Sequence, residues 1–230
     1  MPYKNKTKQL AEGGFYHAYN RGYNKQQIFF DKQDYNTFLY IFKKYLDPDF
    51  RETKYLPSGE AVQVRINKPL YDKIELHAYC LMPNHFHLLV KQISKYGMSR
   101  LVNVVSSQYS SYFNKKYRRE GTIWQGTYKA VLVKSTEQYL HLSRYIHLNP
   151  IEIATKNHAL KDYQYSSYPV FIGTTDKPIW LKPDDIMYYF ESDQNRSEKS
   201  YRLFVENHLA SEKEQKEKDN ESIRSLILDI

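Results

Sequence analysis

The sequence predicts an α+β fold, an antiparallel sheet with helices packed on it. Short runs of strand character occur at 14–22, 62–67, 73–82 and 85–92. Longer runs at 31–46, 98–117 and 135–149 repeat apolar residues at helical spacing. Their order along the chain is strand, helix, strands, helix, strand, helix.

The first strand, "GFYHAYNRG" (14–22), alternates, carries aromatic residues and closes in a glycine turn. In "DKQDYNTFLYIFKKYL" Asp31 is the candidate N-cap, and Tyr35, Phe38, Leu39 and Phe42 form the apolar stripe. "DPDFRETKYLPSGEA" reads as a loop from its Pro, Gly and charges. "VQVRIN" is a short strand. "KIELHAYCLM" is another, with Ile74, Leu76, Ala78 and Cys80 expected on one face. Pro83 and Asn84 interrupt, and "HFHLLVKQ" follows as a hairpin mate.

The middle helix places Leu101, Val104, Val105, Gln108 and Tyr112 near one face and ends in a basic run. "EGTIWQGTYKAVLVK" holds a turn and one or two strands. The last helix opens with Ser135 or Thr136 as cap and Glu137 or Gln138 in its first turn. Pro150 stops it, and Asn149 before that proline is expected outside the helical region. Beyond lie "YQYSSYPVF", a short Pro-rich segment and the polar "ASEKEQKEKDNES", which reads as a solvated helix or disordered tail.

Composition narrows the function classes. The 230 residues fit one large domain or one domain with extensions, and 41% hydrophobic content supplies a core. A net charge of +8 points to a polyanionic partner. The 23 tyrosines suit base stacking and phosphate contacts as well as a core. A single cysteine, Cys80, excludes an intramolecular disulfide and fits a reducing cytoplasm. The opening "MPYKNKTKQLAEGG" has no apolar stretch, so no signal peptide is expected, and no membrane-spanning run occurs.

"CLMPNHFHLLV" (80–90) carries the most specific chemistry. Strand side chains alternate between faces, so His85 and His87 share one, roughly 6–7 Å apart at Cα. Phe86, Leu88 and Val90 point to the other, into the core. Two imidazoles on one face suit convergence on an ion, and a surface pair hydrogen-bonded separately is the bland alternative. Zinc would require further ligands. Cys80 is expected in the opposite register and is a poor ligand. A third oxygen ligand favours Mg²⁺ or Mn²⁺.

"MPNHFHLLV" resembles the HUH motif, in which two histidines flank a bulky apolar residue. Further stretches match in order: "YHAYNRG", "IFFDKQDYNTFL", "YSSYFNKKYRREGTIWQGTYKA", "YLHLSRYIHLNP" and "YQYSSY". Over roughly Phe15 to Tyr168 the chain resembles single-tyrosine HUH transposases of bacterial insertion sequences, the insertion-sequence-200-like superfamily. Within them it is most similar to the REP-associated tyrosine transposase branch.

The resemblance implies a ferredoxin-like or RRM-like HUH endonuclease fold. The catalytic domain would span 11–152, and 153–230 would form a helical C-terminal extension with a polar tail. It implies cleavage and joining of single-stranded or hairpin DNA by a tyrosine, through a 5′-phosphotyrosine and a free 3′-OH. Mg²⁺ or Mn²⁺ on the histidine pair would orient the scissile phosphate.

The family nucleophile maps to Tyr145 in "RYIHLNP". Tyr109 and Tyr112, at helical spacing, read as packing residues, and Tyr117 among lysines and arginines as a DNA-backbone contact. Asn149 lies one turn after Tyr145 on the same face. In the family a polar residue there completes the metal site with His85 and His87. Asn149 also reads as a helix C-cap, and both roles are compatible. His141 reads as structural or DNA-contacting, and His147 faces away.

Expected DNA contacts are Arg21, Lys115, Lys116, Arg118, Arg119 and Lys129. Gly22 allows close backbone approach. Trp124 and Tyr128 either stack on bases or fill the core. The branch pattern has a basic residue where Thr127 stands, so this strand does not carry the whole grip.

Three readings follow: a DNA-nicking and strand-joining transposase, a metal-dependent phosphodiesterase using water, and a catalytically inactive DNA- or RNA-binding protein on the same fold. Monomer and homodimer both remain compatible with the sequence.

Overall fold

The computed structural model describes residues 10–153, 160–191, 197–210 and Leu226. The polar stretch 211–222 lies outside them. A four-stranded antiparallel sheet is built from β1 (Phe15–Arg21), β4 (Ile74–Met82), β5 (His85–Gln92) and β6 (Lys129–Leu132), in the order β4-β5-β1-β6. Helix α1 (Lys32–Leu46) connects β1 to the β4–β5 hairpin, and α2 (Gly97–Tyr117) connects β5 to β6. This order and connectivity are those of a ferredoxin-like sheet.

Two core layers sandwich the sheet. On one face α1 and α2 pack Phe38, Phe42, Leu101, Val105, Tyr109 and Phe113 against Leu76, Leu81, Phe86, Leu88 and Val90. On the other, α3 (Thr136–Leu148) packs Tyr139, Leu142 and Ile146 against Ala78, Cys80, Met82 and Leu89. The segment beyond 153 joins this second core. It brings α4 (Tyr168–Phe171), α5 (Asp184–Met187) and α6 (Ser197–Ala210), with Tyr168, Phe171, Ile186, Tyr201 and Val205 buried. Chain from 165–167 and Leu181 also bonds to the outer edge of β4 and covers it.

The helix ends follow local chemistry. Asp31 caps α1 by accepting from the Asp34 N–H, and Asp34 returns the contact in a capping box. Ser135 caps α3 by accepting from the Gln138 N–H.

Three expectations are corrected. The segment read as a loop contains a strand, β2 (Glu52–Tyr55), paired with β3 (Ala61–Val64) in a separate hairpin. Most of its side chains are exposed, so no apolar alternation marks it. Second, Ile74, Leu76, Ala78 and Cys80 do not share a face. The ladder slips between Leu76 and Ala78, a bulge at His77. One extra residue reverses the alternation. Leu76 therefore faces α1 and α2, while Ala78 and Cys80 face α3. Third, Asn149 stays in the right-handed helical region (φ −50°, ψ −42°) although proline follows. Its side-chain amide donates to the Tyr145 carbonyl at 2.8 Å, and Pro150 sits early in a 3₁₀ turn over Asn149–Glu152. That bond holds the last turn closed despite the usual bias of the residue before proline.

One buried carboxylate ties the two helices of the first layer. The Asp34 side chain has no solvent exposure and lies 2.8 Å from Lys116 Nζ. It accepts from the Tyr112 and Tyr117 hydroxyls at 2.8 and 2.7 Å and from the Phe30 N–H at 2.7 Å. Burial works against its charge. The Lys116 ammonium, the Phe30 N–H and the two hydroxyls outweigh burial and hold the carboxyl below its ordinary value. The resulting stability is present above the ordinary carboxylate pKa and is lost as pH falls through the lowered one. Asp34→Asn should cost about 3 kcal/mol by removing one partner of a buried pair. It should also flatten the acid limb of stability against pH, measured by urea unfolding from pH 7 to 3. An acid limb unchanged in slope would refute this role.

Candidate metal and nucleophile site

The central strand β5 carries His85 and His87 on the face toward α3. Cross-strand register places β1 residues beside them: Tyr19 opposite His87 and Arg21 opposite His85. Cys80 on β4 also pairs with His87. This corrects the expected register of Cys80, which the bulge at His77 reverses. Burial pushes its thiol up, so it remains protonated and a poor ligand.

Hydrogen bonds fix which nitrogen of each histidine is bare. His17, two residues before Tyr19, is fully buried and contacts the Leu226 carbonyl through Nδ1 at 2.7 Å. A carbonyl only accepts, so His17 Nδ1 carries the proton. Burial lowers the pKa of His17 to about 4, against a smaller upward pull from that carbonyl, so the ring is neutral at pH 7. Its Nε2 is then an acceptor, 2.9 Å from His87 Nδ1. His87 therefore donates from Nδ1. Burial, followed by the neighbouring His17 and His85, also holds His87 neutral, against a smaller upward pull from Asn149. The relay ends at His87 Nε2, a buried lone pair with no hydrogen-bond partner among the described residues.

His85 reaches the same state by another route. Asn84 donates its amide nitrogen to the Lys25 carbonyl at 3.2 Å, which turns its oxygen toward His85. His85 Nδ1 donates to that oxygen at 2.6 Å, leaving Nε2 bare. Burial lowers His85 to about 4, with Asn149 opposing and Arg21 adding a smaller downward push. Asn149 commits its amide nitrogen to Tyr145, so its oxygen is the atom left to face the imidazoles.

Tyr145 stands beside this group. Its ring centroid lies 5.5 Å from that of His87 and 6.1 Å from that of His17, both edge to face. Helix α3 positions Tyr145 and Asn149 together because they are one turn apart. His85, His87, Asn149 and Tyr145 thus meet on one face of the sheet.

Two bare imidazole nitrogens and an amide oxygen form a donor set that fits a divalent cation. Each ligand is oriented by a hydrogen bond to its other polar atom, as metal ligands usually are. His17 was missed in the sequence. The alternation of "HAYNR" puts His17, Tyr19 and Arg21 on one face, but only strand pairing sets that face against His87.

The expected DNA contacts separate. Arg21 and Lys129 belong to the histidine face: Arg21 pairs with His85, and Lys129 pairs with Tyr19 and lies 5.9 Å from its ring. Arg21 also donates to the Gln125 side chain at 2.6 Å. Lys115, Arg118 and Arg119 are exposed at the end of α2, on the opposite layer. Lys116 is held by Asp31 and Asp34, and Tyr117 donates to Asp34. Both are tied to the fold by these contacts. Gly22 allows a close approach, but to the Gln26 carbonyl, which would lie 2.1 Å from an added Cβ. Trp124 and Tyr128 are buried in the core. His141 packs its ring against Phe204. His147 is turned away, between Tyr201 and Ser167.

The relay makes a direct prediction. Long-range proton–nitrogen correlation spectra at pH 7 should show His17 and His87 as Nδ1–H tautomers with unprotonated Nε2. An Nε2–H tautomer at His87 would contradict the orientation derived above.

Residues 65–149 match the family model described as an IS200-like transposase. No curated protein matches the sequence. A REP-associated tyrosine transposase bound to a REP hairpin superposes with a TM-score of 0.51 at 16% identity, over 79% of this chain and 92% of that one. A candidate transposase from Deinococcus radiodurans R1 aligns with a TM-score of 0.36 at 14% identity, over 62% of this chain and 95% of that one. The first likeness is one of fold.

Proposed function

Since residues 65–149 belong to the IS200-like transposase family, we propose that this transposase cuts and rejoins single-stranded or hairpin DNA through Tyr145. The observation that carries the reading is the convergence of the His85 and His87 imidazoles, the Asn149 amide and the Tyr145 ring on one sheet face. The neighbour that shares the fold is bound to a REP hairpin, which supports DNA as the partner.

In this reading the Tyr145 oxygen attacks phosphorus. A phosphorus–oxygen bond forms to the phenol, and the bond to the 3′ oxygen breaks. The phenol proton is lost, and the leaving 3′ oxygen gains one. The product is a 5′-phosphotyrosine with a free 3′-OH, and attack by a 3′-OH reverses it. His85, His87 and Asn149 would hold Mg²⁺ or Mn²⁺. Such an ion supplies charge neutralisation and orientation at the scissile phosphate. His17 keeps His87 in the ligating tautomer. Arg21 and Lys129 lie on the same face, where they neutralise the DNA backbone. The reaction belongs in the cytoplasm. No helix among the described residues is long and apolar enough to cross a membrane.

Wild-type protein incubated with labelled hairpin oligonucleotides and Mn²⁺ should leave an adduct that survives denaturing electrophoresis. Tyr145→Phe should abolish that adduct, and His87→Ala should reduce it strongly. Cleavage without an adduct would instead favour water as nucleophile. Equal adduct from wild type and Tyr145→Phe would exclude Tyr145.

The split among basic residues is testable separately. Arg21→Ala and Lys129→Ala should each weaken single-stranded DNA binding and lower the salt slope by about 1. Lys116→Ala should lower the unfolding midpoint and leave the salt slope unchanged. Fluorescence anisotropy across a salt series, with urea unfolding alongside, separates the two classes.

A further inference from the structure

A second group of ligand-type side chains lies away from the histidine pair, and the proposed DNA chemistry does not use it. Glu75 and His77 stand on β4 and Asp185 on α5, with one ligand atom from each within 4.8 Å of the others. His77 sits at the bulge, three residues along β4 from Cys80, roughly 10 Å by the strand rise. Regular strand alternation puts it on the same face as Glu75, two residues earlier.

The surroundings of His77 and of the two carboxylates point to a ligand. His77 is fully buried, yet its Nε2 has no hydrogen-bond partner among the described residues. That nitrogen is 3.5 Å from Glu75 Oε2. Ligand atoms sharing one tetrahedral ion at about 2.1 Å are about 3.4 Å apart. The other ring nitrogen, Nδ1, is 2.6 Å from the Tyr139 hydroxyl, the outer partner that orients a ligating histidine. Finally, the carboxylates already attract a cation. Lys91 Nζ lies 3.3 Å from Asp185 and 3.7 Å from Glu75. An open cleft of about 740 Å³, lined among others by Phe15, Ser135, Tyr139, Tyr188 and Tyr189, reaches the group at Asp185.

We propose that Glu75, His77 and Asp185 form a second divalent-metal site, distinct from the His85, His87 and Asn149 group. One imidazole with two carboxylates suits a transition cation such as Zn²⁺ better than Mg²⁺ or Ca²⁺. Binding displaces the Lys91 ammonium and links α5 to the edge strand of the sheet. The site therefore ties the segment beyond α3 to the sheet. The proposal stands independently of the DNA reaction.

The test is Zn²⁺ titration by calorimetry of the full chain carrying His85→Ala and His87→Ala, which removes the other donor pair. One Zn²⁺ per chain is expected, with a rise in melting temperature. Asp185→Asn, at a half-exposed side chain that leaves the core intact, should abolish both effects, and His77→Gln should do the same. Tyr139→Phe should weaken binding by about tenfold. Lys91→Met should tighten it by removing the competing cation. No bound Zn²⁺ in the His85→Ala, His87→Ala chain, or binding unchanged by Asp185→Asn, overturns the proposal.

Discussion

Strand β5 is hydrogen-bonded along both edges and covered on both faces, and the site follows from that constraint. Flanked by β4 and β1, it has no access to water along its ladder. Helices α1 and α2 cover one face, and α3 with the later segment covers the other. Any polar side chain placed there must find a partner or remain unsatisfied at a cost. His87 is such a side chain. Its environment denies it a charge and leaves one nitrogen without a partner. A protein carries such a group at a loss unless something binds it.

The polar groups around it act as one directed relay. A backbone carbonyl at Leu226 sets the tautomer of His17, which sets that of His87. A second relay runs from the Lys25 carbonyl through Asn84 to His85. The Tyr145 carbonyl orients Asn149. Each chain begins at a group that can only accept, so each ends in a lone pair turned toward the same point. The residue that closes the last turn of α3 is thus the one that offers its oxygen to the imidazoles. Helix capping and ligand orientation are the same bond.

Much of this was legible in the sequence. Alternation put His85 and His87 on a common face and Phe86, Leu88 and Val90 on the other. Helical spacing set Tyr145 and Asn149 together, and the caps at Asp31 and Ser135 followed from residue type. What the sequence did not show is where a side chain's contacts depend on distant partners. Lys116 and Tyr117 look like part of a basic DNA-binding run, yet Asp34, more than 80 positions away, holds both. A buried carboxylate recruits every donor within reach, because leaving its charge unpaired would cost more than the freedom those side chains lose.

By itself the sequence determined the periodic features: the order of elements, the apolar stripes, the shared face of the histidine pair and the turn joining Tyr145 to Asn149. Each depends on residues a few positions apart, where backbone geometry alone sets direction. The tertiary structure decided the rest. Strand pairing brought His17 against His87, a single bulge at His77 moved Cys80 to the histidine face, and the packing of α5 set Asp185 beside Glu75 and His77. Register between strands is set by the summed packing of both layers. No local pattern in "IELHAYCLM" encodes where the ladder slips.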